Sequence, residues 1–331
     1  MRVVVAYNDD AALKPHLNET ELRGETEVIE TAREVARLLD ASLLPVRDVR
    51  SALDSLRRDR PDVVFNLCEG VAGNPHWEMN FALALEMIGV AFTGADPIAT
   101  AICNDKYLTK QLLANAGCLT PSGFLVTDRV PQLSGTWIVK PVHEDAGIGI
   151  DAAAVCNGRD EVAARCAHVI ETYRQPALVE EFIDGRELNQ AMYFRSGAGT
   201  SLEGVLLPAG EILFSDELTS RERVVGWKAK WADGSDEDRA TTNRTPAVME
   251  EAARRALAST CWKAAAVLSI GGYCRFDVRQ RPNGDLCIID VNPNPDLGPD
   301  SGFRKALTAA GIEFVDFLNE LMIAALSRRR Q

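Results

Sequence analysis

The sequence has no long apolar run, no paired-cysteine spacing and no excess of positive charge. No stretch of about 20 apolar residues is available to cross a bilayer, and no charged leader precedes the first strand pattern, Arg2–Tyr7. The eight cysteines, at 68, 103, 118, 156, 166, 261, 274 and 287, show no CxxC or zinc spacing. Their scatter suits reduced thiols, so a cytoplasmic location is expected. Lys and Arg number 36 against 48 Asp and Glu, a net charge of −12. That balance argues against nucleic-acid and membrane partners, while leaving room for a local basic pocket that holds phosphate. Internal repeats and low-complexity tracts are also missing. What remains is a chain of 331 residues with 46% hydrophobic content. It is globular and long enough for two or three lobes.

The first hundred residues alternate strand and helix. Strand 2–7 precedes an acidic stretch and a helix over 25–40, with Val28, Ala32, Val35, Ala36 and Leu39 on one face. Further elements are expected at 43–46, 49–58, 62–67, 77–88 and 90–92, forming an open α/β lobe. Ligands of such lobes bind beyond the C-terminal strand ends. This points to Glu69, Asn74 and His76 in the loop after strand 62–67; for Asn74 and His76 a loop or helix cap is the competing reading. A second lobe runs from a helix at 105–116, closed by Gly117, to a strand at 177–183. Within it Trp137–Lys140 reads as a strand with a lysine at its end, followed by the glycine-bearing turn 143–150. Backbone amides in such turns cradle phosphates. The third lobe opens with strand 187–194. It contains the polar segment 215–245, read as a long mobile loop with Lys228 and Lys230 between Trp227 and Trp231. Helices are expected at 246–269 and 312–328, the last ending in Arg328-Arg329-Arg330 as a solvated tail.

The segments Tyr273–Arg279 and Leu286–Asn292 carry the strongest local signal. They read as two strands joined through Asn283-Gly284, a pair that tolerates positive φ. With that pair as the loop, Asp277 faces Asp290 and Arg275 faces Asn292. All four then share one face, and Phe276, Val278, Ile289 and Val291 fall on the core side. A loop lengthened by Pro282 would slip the register by one residue and break the pairing. Directly opposed Cβ atoms lie about 4.5–5.5 Å apart, so two carboxylates there repel unless a cation lies between them. Two carboxylates and an amide oxygen suit Mg²⁺, which keeps coordination sites for phosphates. A plain solvated face is the competing reading.

The chain resembles the ATP-grasp superfamily, and within it the D-alanine–D-alanine ligase-like branch. Seven segments in order carry the resemblance: Phe92-Thr93-Gly94-Ala95-Asp96, Asn104-Asp105-Lys106 with Lys110, Ile138–Pro141, Glu180–Glu187, Lys230, Arg275-Phe276-Asp277 and Asp290-Val291-Asn292-Pro293. It implies an α/β ATP-grasp fold with an N-terminal open lobe at 1–103 and two α+β lobes at 104–183 and 184–331 that clamp ATP. It implies that Lys106 and Lys140 hold ATP phosphates, that Glu180, Glu181, Phe182 and Ile183 contact adenine, and that Glu187 contacts ribose. Lys230 would reach the γ-phosphate on loop closure. Asp277, Asp290 and Asn292 would hold two Mg²⁺, with Mn²⁺ as the alternative ion. Arg275 would stabilise the acyl-phosphate and the tetrahedral intermediate, and Ser301 would contact an acceptor carboxylate. The implied activity is ATP-dependent joining of a small-molecule carboxylate and an amine, releasing ADP and phosphate, in a homodimeric enzyme. Ring closure within one substrate, or nucleotide binding without turnover, are the alternatives. The substrate end departs from the family pattern. Asp290 stands for the usual Glu, Asp145-Ala146-Gly147 for the serine-bearing loop, Glu69–His76 for the "HG..GEDG" loop, and Asp296 for a glycine near the expected oxyanion position.

Overall fold

Alternate residues of the first strand serve two separate cores. A computed structural model of the chain describes residues 1–9, 21–197, 201–227 and 234–328, with backbone alone for 21–26. Strand β1 (Val3–Asn8) lies between β2 (Ser42–Val46) and β3 (Val63–Leu67), with β4 (Ala91–Phe92) at the edge. All pairings in this sheet are parallel. Val3 and Val5 pack toward helices α1 (Glu21–Leu39) and α10 (Phe314–Arg328), against Ala32, Val35, Phe317 and Leu321. Val4 and Ala6 pack the other way, toward α2 (Val49–Asp59) and α3 (Glu78–Met87), against Ala52, Leu56, Phe81 and Leu85. A strand covered on both faces needs the unbroken apolar run found here. The C-terminal helix therefore returns to the first sheet. Arg328 is not solvated tail: its guanidinium donates to the carbonyls of Phe92 and Gly94 at 2.8 and 3.0 Å.

The second sheet is antiparallel, in the order β5 (Gly123–Val126), β8 (Ala177–Glu181), β6 (Thr136–Pro141), β7 (Val155–Asn157), and is covered by α6 (Gly158–Tyr173). The third sheet runs β12 (Thr241–Arg244), β11 (Gly210–Phe214), β9 (Arg186–Ser196), β13 (Tyr273–Gln280), β14 (Leu286–Asn292), with β10 (Leu202–Leu206) also on β9. Its apolar face packs on α4 (Pro97–Cys103), α5 (Lys106–Asn115) and α8 (Glu251–Val267). The described parts of 215–245, residues 215–227 and 234–245, hold regular elements where a long loop is expected. These are a 3₁₀ turn at Ser220–Glu222 closed by a Thr219/Glu222 capping box, the short helix α7 (Asp236–Arg239) and β12. Lys228, Lys230 and Trp231 lie outside the described residues. A further helix, α9 (Gly302–Ala309), precedes α10.

The β13–β14 hairpin reaches the expected register by a different route. The Gly284 N–H donates to the Arg281 carbonyl at 2.9 Å, and Arg281 pairs with Asp285, so the loop is Pro282-Asn283-Gly284. This third loop residue shifts the ladder by one, and Val278 faces Ile288 instead of Ile289. A bulge then takes up Ile289, and Asp277 faces Asp290 while Arg275 faces Asn292. The two one-residue shifts cancel at the Asp277/Asp290 end of the hairpin only because they have opposite sense. Ile288 consequently joins Phe276, Val278 and Val291 in the core, while Ile289 lines the cleft described below. The placement of Ile289 on the core side is corrected by the bulge.

Gly272, at φ +76° just before β13, abuts the backbone of Gly94, and a methyl group there would run into the Gly94 carbonyl. Gly284 has φ +92° and open space around it. Gly272→Ala should therefore cost about 2–3 kcal/mol, combining backbone strain with overpacking. Gly284→Ala should cost about 1 kcal/mol from conformation alone. Urea unfolding of both variants checks the difference, and equal losses would contradict the close lobe contact.

Candidate active site

A cleft of about 620 Å³ lies where the ends of all three sheets meet. The lining includes the β13 face Arg275, Asp277, Arg279 and the β14 residues Asp290 and Asn292. These side chains emerge at every second position, which places Arg275, Asp277 and Arg279 on one face. Arg275 grips Asp277 through two parallel bonds, Nε–Oδ1 at 2.7 Å and Nη2–Oδ2 at 2.8 Å. Asn189, opposite Asp277 on β9, adds a bond at 2.8 Å. Asn292 Oδ1 accepts from the Asn294 amide at 2.8 Å.

Lysines from the second lobe reach this face. Lys106, at the start of α5, lies 2.9 Å from Asp145 and 3.5 Å from Asp290. Burial works against ionisation of Asp290, yet Lys106, Lys140, Lys110 and Arg275 together hold it well below the usual carboxylate range. Glu180 is 1% exposed and takes Lys110 on one oxygen at 3.0 Å and Lys140 on the other at 2.7 Å. Lys110 also donates to the carbonyl of the bulge residue Ile289 at 2.6 Å. The bulge thus has a second use: its unpaired carbonyl anchors a buried ammonium.

Glu181, Phe182, Ile183 and Glu187 follow along the same cleft wall. Arg281 pairs with Glu181, which lowers the Glu181 pKa. Arg279 binds Glu187 at 2.7 Å, donates to the Ile183 carbonyl at 2.9 Å, and stacks 5.3 Å over Phe182. Sequence reasoning assigned no role to Arg279 or Arg281. The period-two pattern on β13 is the signal that points to Arg279.

The remaining expected residues divide. Glu69 and Ser301 line the cleft, Ser301 as the N-cap of α9. Asn74 and His76 are not among the lining residues. The Asn74 carboxamide caps the 3₁₀ turn Pro75–Trp77 by accepting from the His76 N–H. The His76 ring packs on His143, centroids 4.1 Å apart, and burial together with His143 lowers its pKa. The substrate roles expected for Asn74 and His76 give way to capping and packing. Lys230 lies outside the described residues.

Glu78, missed in the sequence, enters the cleft at the head of α3. It is 6% exposed, and each carboxylate oxygen accepts one amide, from Asn104 at 2.9 Å and Asn294 at 3.1 Å. Burial raises its pKa to about 8, against those two hydrogen bonds. Nothing but its place in a Pro-His-Trp-Glu turn marks it in the sequence. Because the folded pKa lies above the unfolded value of 4.5, Glu78 contributes stability below that value and loses it as pH rises through about 8. Glu78→Gln should therefore flatten the loss of stability between pH 5 and 8. Parallel denaturation series at those pH values check this, and an unchanged slope would contradict a protonated Glu78.

Comparison with known proteins gives the family. Residues 125–323 match the family model described as the D-ala D-ala ligase C-terminus. The chain is 29% identical over 289 residues to a D-alanine–D-alanine ligase of Gluconobacter oxydans, covering 85% of this chain and 86% of that one. It is 30% identical over 250 residues to D-alanine–D-alanine ligase B of Pseudomonas syringae, covering 73% and 69%. Among solved structures, the ATP complex of the D-alanine–D-alanine ligase from Bacillus anthracis superposes with a TM-score of 0.74 at 18% identity, covering 100% of this chain and 98% of that one. The fold is the ATP-grasp fold, and the chain belongs to the D-alanine–D-alanine ligase family.

Proposed function

We propose that this chain is an ATP-dependent ligase that joins a carboxylate to an amine through an acyl-phosphate, releasing ADP and phosphate. The observation that carries the reading is the opposed Asp277–Asp290 pair, with Arg275 and Asn292 on the same face and Lys106 beside it. Two carboxylates and an amide oxygen are hard donors, and Asp290 is held ionised, the form in which a carboxylate binds a metal. This set fits Mg²⁺, with Asp277, Asp290 and Asn292 as the residues that would hold it. The metal would supply charge neutralisation at the transferring phosphoryl group.

The chain's own side chains supply the rest. Lys106 and Lys140 place positive charge at the phosphate end of the cleft. The wall from Glu180 to Ile183, with Glu187, offers a slot for the nucleoside. Arg275 is held by Asp277 within the cleft, where its guanidinium would meet the negative charge that develops on the substrate carbonyl oxygen. Lys230 would close on the γ-phosphate. The lobes 1–103, 104–183 and 184–331 each contain one sheet, which supports those boundaries.

ADP release with ATP and Mg²⁺, measured over pairs of D- and L-amino acids with products weighed by mass spectrometry, tests the activity. The expected product has the mass of the two substrates less one water. ADP release that needs no amine, or none with any pair, would contradict the reading. Arg275→Lys should lower kcat by about a hundredfold or more, since a point charge cannot replace the fork. Lys230→Ala should abolish turnover while leaving ATP affinity near its original value; a matching loss of ATP binding would refute a late, loop-borne role.

A further inference from the structure

Arg279 has no part in the chemistry proposed above, yet it sits one row along from the metal-binding face. On β13 it stands directly opposite Glu187 of β9, as Asp277 stands opposite Asn189. Side chains two residues apart share a face, so both rows look into the same cleft, about 6.5 Å apart along the strands. All four residues line it. A nucleotide whose phosphates meet a metal at Asp277 presents its sugar as the next group along. The row that meets the sugar is the one beside the nucleoside wall, and Arg279 marks it by bonding the Ile183 carbonyl of that wall.

The guanidinium is 4% exposed and heavily committed. Nε and Nη2 both donate to Oε2 of Glu187, at 3.0 and 2.7 Å. Nη1 donates to the Ile183 carbonyl at 2.9 Å, and Nη2 donates to the Arg223 carbonyl at 2.5 Å. Four of its five N–H donors are thereby taken by the protein. The rings of Phe182 and Phe214 lie 5.3 and 5.6 Å from it. Such a group acts on a ligand through what it holds.

What it holds is an acceptor. Both bonds to Glu187 fall on Oε2, while Oε1 has no partner among the described residues and keeps surface open to the cleft. An ionised carboxylate only accepts hydrogen bonds, so Oε1 suits a hydroxyl donor. Clamping the other oxygen fixes the direction of Oε1 in advance, which lowers the ordering cost of binding.

We propose that Arg279 is the positioning residue for the sugar of the nucleotide: by clamping Oε2 of Glu187 it aims Oε1 at a ribose hydroxyl, and through the Ile183 and Arg223 carbonyls it fixes the wall beside that hydroxyl. The proposal rests on the nucleotide-binding part of the ligase reading, and its test reads binding apart from ligation.

The experiment is titration calorimetry of the full chain with Mg²⁺, using ADP, 2′-deoxy-ADP, 3′-deoxy-ADP and pyrophosphate. At least one deoxy analogue should bind about tenfold or more weakly than ADP, because a site built for a hydroxyl rejects the analogue that lacks it. Arg279→Lys should cut that ratio to about threefold or less, since an ammonium cannot hold Glu187 and both carbonyls together. Glu187→Gln should lower it too, a neutral bond being weaker than one to a carboxylate. Combining the two should add nothing to the larger single loss, as expected of residues that act through one another. Pyrophosphate affinity should stay at the wild-type value throughout, because Lys106, Lys140 and Asp290 are untouched. Unfolding midpoints establish that each variant folds, and Arg279→Gln replaces Arg279→Lys if it does not. A sugar preference that the Arg279 variant retains, or an equal loss of ADP and pyrophosphate binding, would overturn the proposal. Equal binding of all three nucleotides by a chain that ligates would overturn it and leave the ligase reading standing. The expected sugar dependence in a chain that releases no ADP from ATP with any acid and amine would do the reverse. Absence of nucleotide binding would overturn both.

Discussion

The bulge at Ile289 is the constraint on which the cleft depends. A hairpin with a three-residue loop and no bulge would place Asp277 opposite Ile289 and turn Asp290 away. The bulge restores the opposition of Asp277 to Asp290, exposes the Ile289 side chain to the cleft, and frees its carbonyl for Lys110. Lys110 in turn shares Glu180 with Lys140. One inserted residue therefore ties the third sheet to the second, and the two sheets are the jaws of the cleft. Bulges beside functional sites commonly re-aim a side chain in this way.

Charge within the cleft is zoned. Cations from the second lobe, Lys106, Lys110 and Lys140, meet the carboxylates of the β13–β14 face, and each buried ammonium has an acid partner or a carbonyl. Buried ion pairs contribute little net stability, because desolvation offsets attraction. Their retention here makes sense as preorganisation: donors are already oriented when the phosphoryl group arrives, so little reorganisation is needed during the reaction.

Much of this was legible in the sequence because it follows short periods. The apolar run at 2–7 announced a strand, and the alternation on β13 placed Arg275 and Asp277 together. The helix expected at 105–116 and closed by Gly117 lies within a residue of α5 at each end. Where the reading failed, the cause was three-dimensional. Ile289 was assigned to the core because a bulge is invisible in a two-residue period. Strands β10, β11 and β12 are short and half-exposed, so they lack a clear alternation. Glu78 looks like an ordinary acid at a helix start until Asn104 and Asn294, distant in sequence, close over it. Arg328 looked like tail because its partners, the carbonyls of Phe92 and Gly94, carry no side-chain signal. Asn74 and His76 lie in a loop that the strand-end rule flags, yet that rule cannot tell a residue that caps a turn from one that faces the ligand.

The central claim is that the β13–β14 face is where metal and nucleotide phosphates meet. Mn²⁺ binding followed by electron paramagnetic resonance, with a non-hydrolysable ATP analogue present, addresses it without knowledge of the substrates. The account predicts that the analogue promotes Mn²⁺ binding and that Asp277→Asn or Asp290→Asn weakens it by about tenfold or more. Mn²⁺ affinity unchanged in both variants would contradict it.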